Sequence, residues 1–337
     1  MAAQLRPHPG TPLPARLFAH LADGDFHSGE DLAQSLGVTR SAVWKAAGAL
    51  RALGTDLDAV RNRGYRLVQG TDALDAARIR RALSPEARAG VRRLEAVWSI
   101  DSTNTALSAR PDPMPGHTEV LLAEYQTAGR GRRGRTWRAP PGGAICLSLS
   151  WTFREVPPDL AGLSLAIGVG VLRALQQVEV TGVTLKWPND LLLGDRKLGG
   201  ILIELRAESD GPVCVVVGIG LNVDLSAGLK AEIARTGLQA ADLRELGFEG
   251  ARNGLAAALI DHCLGSLAAF AREGLKAFLF DYRAADALLG KAVNVSGPQG
   301  EVVGIARGVD VHGALLLETP AGVRRFMSGE VTVRPQE

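Results

Sequence analysis

From about residue 75 to residue 285, short β-branched apolar runs alternate with longer stretches of helical period. That alternation confines this part of the chain to layers of sheet and helix. The spacing predicts strands at 93–97, 119–125, 144–151, 183–187, 199–206 and 213–222, and helices at 102–109, 159–178 and 251–270. Such a body is an α/β or α+β domain of catalytic size. The chain of 337 residues exceeds what one hydrophobic core usually organises, so further domains are expected on either side.

The N-terminal flank, residues 14–70, reads as helices closed by a hairpin. Leu17 and Leu21 mark a first helix, Ser28-Gly-Glu-Asp31 starts a second with Leu32 and Leu36 as anchors, and Gly37 makes a tight turn. Thr39 is a good N-cap for a third helix running to about Leu53, with Val43, Leu50 and Leu53 on one face. A strand at 57–60, the tip Arg61-Asn-Arg-Gly64 and a strand at 65–68 complete the order of a winged helix-turn-helix. Residues 15–38 carry one Arg against four acids, whereas 39–70 carry six Lys or Arg against two acids. The basic half is the recognition helix and wing, so Thr39, Arg40, Ser41, Lys45, Arg61 and Arg63 are the candidate DNA contacts. A protein-docking or dimerisation wing is the alternative. The third helix reads Trp44-Lys-Ala-Ala-Gly-Ala-Leu50, poor in side chains that read base edges.

Beyond residue 286 five short strands separated by Gly-rich turns suggest a small β-barrel. Residues 1–13, proline-rich and without an apolar h-region, are expected to be a disordered tail and not a signal peptide. No stretch approaches eighteen apolar residues, so no membrane span is expected. Cys146, Cys214 and Cys263 lack metal-ligand spacing and lie in apolar runs, consistent with buried free thiols in a reducing cytoplasm. Net charge is only +2, so any anion site must arise from local segregation.

One such segregation is the segment Gly129-Arg-Gly-Arg-Arg-Gly-Arg-Thr-Trp-Arg138. Six arginines and no carboxylate fall between Gln126 and Arg154, five of them in these ten residues. Glycines let backbone amides approach a ligand, and each guanidinium is a rigid fork for phosphate oxygens. Uncompensated charges this close repel, so the loop is expected to be disordered when empty and ordered by its anion. The run spells G-x-G-x-x-G, but Trp137-Arg-Ala-Pro-Pro-Gly-Gly143 cannot continue as the helix that a dinucleotide site requires. No G-x-x-x-x-G-K-[ST] is present either.

Lys186-Trp-Pro-Asn-Asp190 ends a strand in a turn, and Lys197 opens the next strand, so a hairpin brings two ammonium groups to one end of the sheet. Lysines and arginines around one pocket are what an adenylating enzyme needs where an α-phosphate gains charge. Asp101-Ser-Thr-Asn104 sits at a strand end and helix start, where capping is its simplest role. Gly218-Ile-Gly-Leu-Asn222 ends an apolar strand, as a bulge or as backbone access for a ligand.

These pieces, in this order, resemble the bifunctional biotin–protein ligase/biotin operon repressor family over nearly the whole chain, with Glu124-Tyr-Gln126 and Arg196–Glu204 adding to the collinearity. The resemblance implies an α+β, multidomain chain: a winged helix at 14–70, a class II synthetase-like ligase domain at 75–285 and an SH3-like barrel at 286–337. It implies biotin and ATP as substrates with Mg²⁺. Biotin's carboxylate attacks the α-phosphate, and a lysine of the biotin carboxyl carrier protein of acetyl-CoA carboxylase then attacks biotinyl-5′-AMP. No covalent enzyme intermediate is needed, in keeping with the lack of a Ser/His or Cys/His arrangement.

By position, Ser102, Thr103, Asn104 and Gln126 are expected around the ureido ring, with Gly199, Gly218 and Asn222 completing the biotin side. Arg130, Gly131 and Arg132 are expected over biotin and phosphate, Lys197 at the biotin carboxylate and Lys186 at the developing phosphate charge; Lys186, Arg132 and Lys197 are thus the catalytic candidates. Arg133, Arg135, Trp137 and Asn189 fall on the ATP side, with Trp137 against adenine, and Asp190 is the candidate Mg²⁺ ligand. Adenylate binding is expected to complete a homodimer that binds operator DNA in the cytoplasm. The alternatives are a ligase without operator-specific repression, a lipoate or octanoate ligase, and a transcription factor that only senses its ligand.

Overall fold

The structure is a computed structural model describing residues 11–68, 70–207, 212–297, 300–327 and 332–335. Residues 1–10 of the expected tail lie outside the described residues, as does part of the last expected strand pair.

The N-terminal unit consists of α1 (Leu13–His20), α2 (Gly29–Leu36), α3 (Arg40–Ala52) and the antiparallel hairpin β1 (Leu57–Val60) and β2 (Gly64–Leu67). Local chemistry sets each boundary. The Ser28 side chain accepts from the Asp31 amide at the start of α2, Gly37 at φ 65° closes that helix, and Thr39 accepts from the Ala42 amide to start α3. Leu17, Phe18, Leu21, Leu32, Leu36, Val43, Leu50, Leu57 and Leu67 form its own buried core. Trp98 of the next domain packs on Phe18, with ring centroids 5.6 Å apart.

The linker leads to α4 (Ala76–Ala82) and α5 (Pro85–Gly90), two short helices absent from the expected element list. The central sheet contains β3 (Val91–Ile100), β4 (Thr118–Gln126), β5 (Ala144–Phe153), β6 (Val183–Lys186), β7 (Asp190–Leu193), β8 (Arg196–Ala207) and β9 (Val213–Asn222). Its order is β3-β4-β5-β9-β8-β7-β6, antiparallel except for the parallel β3–β4 pair. Between these strands lie α6 (Thr103–Ser108) and α7 (Leu163–Gln177), and after them α8 (Ala227–Ala234), α9 (Arg252–Glu273) and α10 (Leu279–Ala285).

One sheet face carries Ile145, Leu147, Leu149, Val215, Val217, Ile219 and Ile201 into a core shared with α7 and α9. At about 25 cal/mol per Å² of apolar surface removed from water, this face supplies the dominant favourable term for the domain. The opposite face is thinly covered, with Leu107 of α6 seated on Leu121 and Val216.

Two segments do meet the length and hydropathy of a membrane span, Leu160–Gln177 and Arg252–Ala285, contrary to the sequence expectation. Each is 61% buried inside the fold, as the core helices α7 and α9 require.

The C-terminal strands are β10 (Ala292–Gly297), β11 (Gly300–Val309), β12 (Leu315–Thr319), β13 (Gly322–Phe326) and β14 (Thr332–Pro335). They form an antiparallel sheet of order β13-β12-β11-β10-β14. Trp187, wholly buried, donates from its indole to the Gly313 carbonyl, fastening this sheet to the β6–β7 turn.

Candidate active site

The site is built on the thinly covered face, where paired residues of neighbouring strands project together. Ser148 lies opposite Gly218 and Cys146 opposite Gly220; on the other side Gly218 pairs with Leu202 and Gly220 with Gly200. The glycines make a floor that side chains above could not otherwise reach. A Cβ on Gly218 would lie 2.2 Å from the Asn104 amide oxygen, and one on Gly220 would lie 2.6 Å from the Trp137 indole. Trp137 therefore packs directly against backbone.

Ser102 caps α6, accepting from the Thr105 amide at 3.4 Å, and this turns Thr103 and Asn104 down onto the floor. A buried polar string follows. The Gln126 amide oxygen accepts from the Thr103 amide at 2.8 Å, the Ser148 hydroxyl donates to Asn104 Oδ1 at 2.6 Å and lies 2.7 Å from the Thr103 hydroxyl, and Asn104 Nδ2 donates to Glu204 at 2.9 Å. Arg130 closes the string through a 2.8 Å ion pair with Glu204. Thus Ser102, Thr103, Asn104, Gln126, Gly218 and Arg130 converge as the sequence suggested. Ser148 and Glu204 join them without having been singled out, since both sit inside apolar strand runs.

At the other end of the floor lie the cationic groups. The arginine loop folds back on itself, with the Gly131 amide donating to the Arg135 carbonyl at 2.7 Å and Arg130 bridging to Thr136. Arg133, at φ 57°, turns its tip, and Arg133 and Arg135 are exposed there. Arg132 is half-buried and donates to Asn189 Oδ1 at 3.3 Å. Burial, then repulsion from Arg133, lowers its pKa, with Asp190 opposing. The expectation of uncompensated arginines needs correction: Arg130 pairs with Glu204, and Arg138 with Glu232 at 2.7 Å.

Lys186 ends β6 at a turn in which the Asn189 amide donates to its carbonyl. Lys197 lies on β8, with β7 between it and Lys186, and its ammonium pairs with Asp190 at 2.6 Å above Gly200. The two lysines do share one end of the sheet. Gly199 approaches the Gly220 carbonyl closely, a backbone role in sheet packing. Asn222 is 5% exposed, and its amide donates to the carbonyls of Lys197 and Ala241, so it props the strand that carries Lys197.

Among the described residues no three His, Cys, Asp or Glu side chains group to hold a metal. With Asp190 engaged by Lys197, the donor set fits a Mg²⁺ that arrives on ATP phosphates and takes one protein carboxylate, which is how that ion usually binds. All three cysteines are free and buried, and burial pushes Cys146 and Cys214 up to about 11 and Cys263 to about 12, so none is a nucleophile.

In the N-terminal unit Thr39, Arg40, Ser41 and Lys45 are exposed on α3, and Arg61 and Arg63 on the wing. Trp44 is 67% exposed between them, a large apolar side chain that the fold leaves without cover. Arg63 stacks over Phe26 at 4.1 Å.

Residues 17–66 match the HTH domain family, residues 97–222 the Biotin/lipoate A/B protein ligase family and residues 288–334 the Biotin protein ligase C terminal domain. The bifunctional ligase/repressor BirA of Salmonella typhimurium is 37% identical over 327 residues, spanning 97% of this chain and 99% of that protein. This chain belongs to the bifunctional biotin ligase/repressor family. Another relative, the biotin–[acetyl-CoA-carboxylase] ligase of Mycobacterium tuberculosis, is 36% identical and aligns with 73% of this chain and 90% of its own. The biotin protein ligase of Aquifex aeolicus in complex with biotin and ATP superposes with a TM-score of 0.59 at 28% identity, covering 73% of this chain and 99% of that one. In this family member the HTH match falls on the winged helix and the ligase match on the strands that carry the polar floor.

Proposed function

We propose that this protein activates biotin with MgATP to biotinyl-5′-AMP and pyrophosphate, then transfers biotin to a lysine of the biotin carboxyl carrier protein of acetyl-CoA carboxylase. The observation that carries this reading is the polar string from Gln126 to Glu204 running into Arg132, Lys186 and Lys197. Its alternating donors and acceptors suit a ureido group at one end; its cations suit a carboxylate meeting a phosphate at the other.

Ser102, Thr103, Asn104 and Gln126 hold the ureido ring over the Gly218 floor. Lys197 orients the carboxylate, and Asp190, its partner at 2.6 Å, holds the ammonium in place. Lys186 and Arg132 stabilise the charge that gathers on the α-phosphate as the carboxylate oxygen forms the new P–O bond and pyrophosphate leaves. Asp190 is the carboxylate that would hold a Mg²⁺ bound to ATP, and the ion would supply charge neutralisation at the phosphates. In the second step the carrier's ε-amine attacks the anhydride carbonyl and AMP leaves. Arg130, Gly131, Arg132, Arg133 and Arg135 form a lid over the adenylate, and Trp137 and Asn189 border the adenosine side.

We assign operator binding to 14–70, ligation to 75–285 and the terminal β-domain to 286–337. Repression follows from an adenylate-bound homodimer placing two copies of α3 and the wing on DNA, in the cytoplasm. Pyrophosphate exchange tests the ligase reading: exchange that depends on biotin supports it, and exchange driven by lipoate instead overturns it.

A further inference from the structure

The linker between the winged helix and the ligase domain is held by a buried ion pair and by Asn253, which donates to the Ala73 carbonyl and accepts from the Asp75 amide. Glu124, on β4 two residues before Gln126, is 5% exposed, and Arg252, the first residue of α9, is 1% exposed. Their pairing is bidentate, Nη1 to Oε2 and Nη2 to Oε1, each at 2.9 Å. The same carboxylate accepts from the Leu74 amide at 2.6 Å and from the Gly142 amide at 3.3 Å. Leu74 belongs to the linker, and Gly142 to the segment that returns from the arginine loop. Arg252 reaches further, donating from Nε to Thr71 Oγ1 at 3.0 Å and from Nη2 to the Asp72 carbonyl at 2.5 Å. Asp72 in turn accepts from the Arg252 and Asn253 amides, capping an α9 that has no cap of its own.

Beyond this point the winged helix touches the loop's return directly. A Cβ on Gly142 would lie 3.1 Å from Phe18 and 3.4 Å from the Thr71 methyl, and one on Gly54 would lie 3.5 Å from Pro140. One ion pair therefore joins the biotin strand, the loop's end, the linker and α9. A charge pair this deep, with nearly all its lone pairs and protons used, has one arrangement and moves as a unit.

We propose that Glu124 and Arg252 are the joint through which the state of the arginine loop reaches the linker, and that Arg252 is a positioning residue for the site. The proposal rests on the reading of biotin at Gln126 and of the arginine loop as a lid. When the lid closes, the Gly142 amide shifts against Glu124, and Arg252 carries that shift to Thr71 and Asp72. The winged helix is set by this fork and not by a loose tether.

Hydrogen–deuterium exchange on the full chain, with and without biotin and MgATP, tests the joint. Exchange should slow together in peptides spanning 139–143 and 70–76, by about tenfold. In Arg252→Lys, which keeps the charge and loses the fork, the loop peptide should still slow while the linker peptide does not. Its KM for biotin should rise about tenfold with kcat within about threefold of the parent, the split expected of a group that positions the site without touching reacting atoms. Thr71→Val leaves the buried pair in place, so its melting temperature should hold while the linker response falls about threefold. A linker that slows as in the parent in both variants, or stays unchanged in the parent while the loop slows, overturns the joint and leaves the ligase reading standing. A parent loop that does not respond, with no pyrophosphate exchange, overturns both.

Discussion

Gly218→Ala puts the floor of the site to a quantitative test. Its Cβ would sit 2.2 Å from Asn104 Oδ1, where real Cβ contacts do not fall below 3.0 Å, so Asn104 must retreat by about 1 Å. Asn104 is 4% exposed and held by Ser148 at 2.6 Å, Glu204 at 2.9 Å and the Leu202 carbonyl at 3.3 Å, so it has little room to retreat without breaking bonds. Overpacking of this kind costs about 1–3 kcal/mol of stability. A misplacement of about 1 Å in a substrate-positioning group costs on the order of 10²-fold in function. Titration calorimetry with biotin should therefore show the dissociation constant rising about 100-fold, while thermal melting records the stability loss. The double variant Asn104→Ala/Gly218→Ala removes the clash, so it should regain much of the lost stability and none of the biotin affinity. Biotin binding by Gly218→Ala within about threefold of the parent would refute both the floor and the place given to Asn104.

Three further outcomes follow from other parts of the molecule. Arg132→Gly should release biotinyl-AMP into solvent, seen as adenylate in the filtrate after centrifugal ultrafiltration; retention equal to the parent's sinks the lid role of the loop. Glu245 is held down to about 2 by Arg196 and Lys230, so its contribution to stability is present above the ordinary carboxylate value near 4.5 and is lost as pH falls toward 2. The group is partly exposed, so Glu245→Gln should cost about 1 kcal/mol or less in urea melts at pH 6, with the difference vanishing near pH 2; a constant difference contradicts the pairing. Gly48 has open space around its missing Cβ in the middle of α3, so Gly48→Ala should stabilise the winged helix by about 1 kcal/mol, and a lower melting temperature would show an unrecognised contact.

How much of this was legible in the sequence depends on how local the cause is. Ser28, Gly37 and Thr39 act on their own neighbours, so the winged helix could be placed to within a few residues. Glycines 129, 131 and 134 with five arginines suggest an anion loop from the local sequence alone, although Glu204 and Glu232, which pair with Arg130 and Arg138, lie far along the chain. Glu204 could not be read that way: its partner Arg130 lies 74 residues earlier in the sequence, and the pairing exists only because β8 and β9 bring the strand beneath α6. Ser148 was hidden in the run Ala144–Phe153, where a hydroxyl among apolar residues looks like an ordinary strand position. Arg252 reads from sequence as one more charge at a helix start, and only the fold reveals that Glu124 and the linker meet it. Asn222 carries a structural role the sequence hides, its amide donating to the carbonyls of Lys197 and Ala241. The short helices α4 and α5 escaped because neither is long enough to show a helical period.

The central claim, that the cation-ended polar floor makes and keeps a biotinyl adenylate, is tested most directly by native mass spectrometry of the full chain after incubation with biotin and MgATP. The account predicts a retained mass equal to biotinyl-AMP, absent when biotin is omitted or replaced by lipoate. A spectrum showing only the unmodified chain under conditions that hold it folded would contradict it.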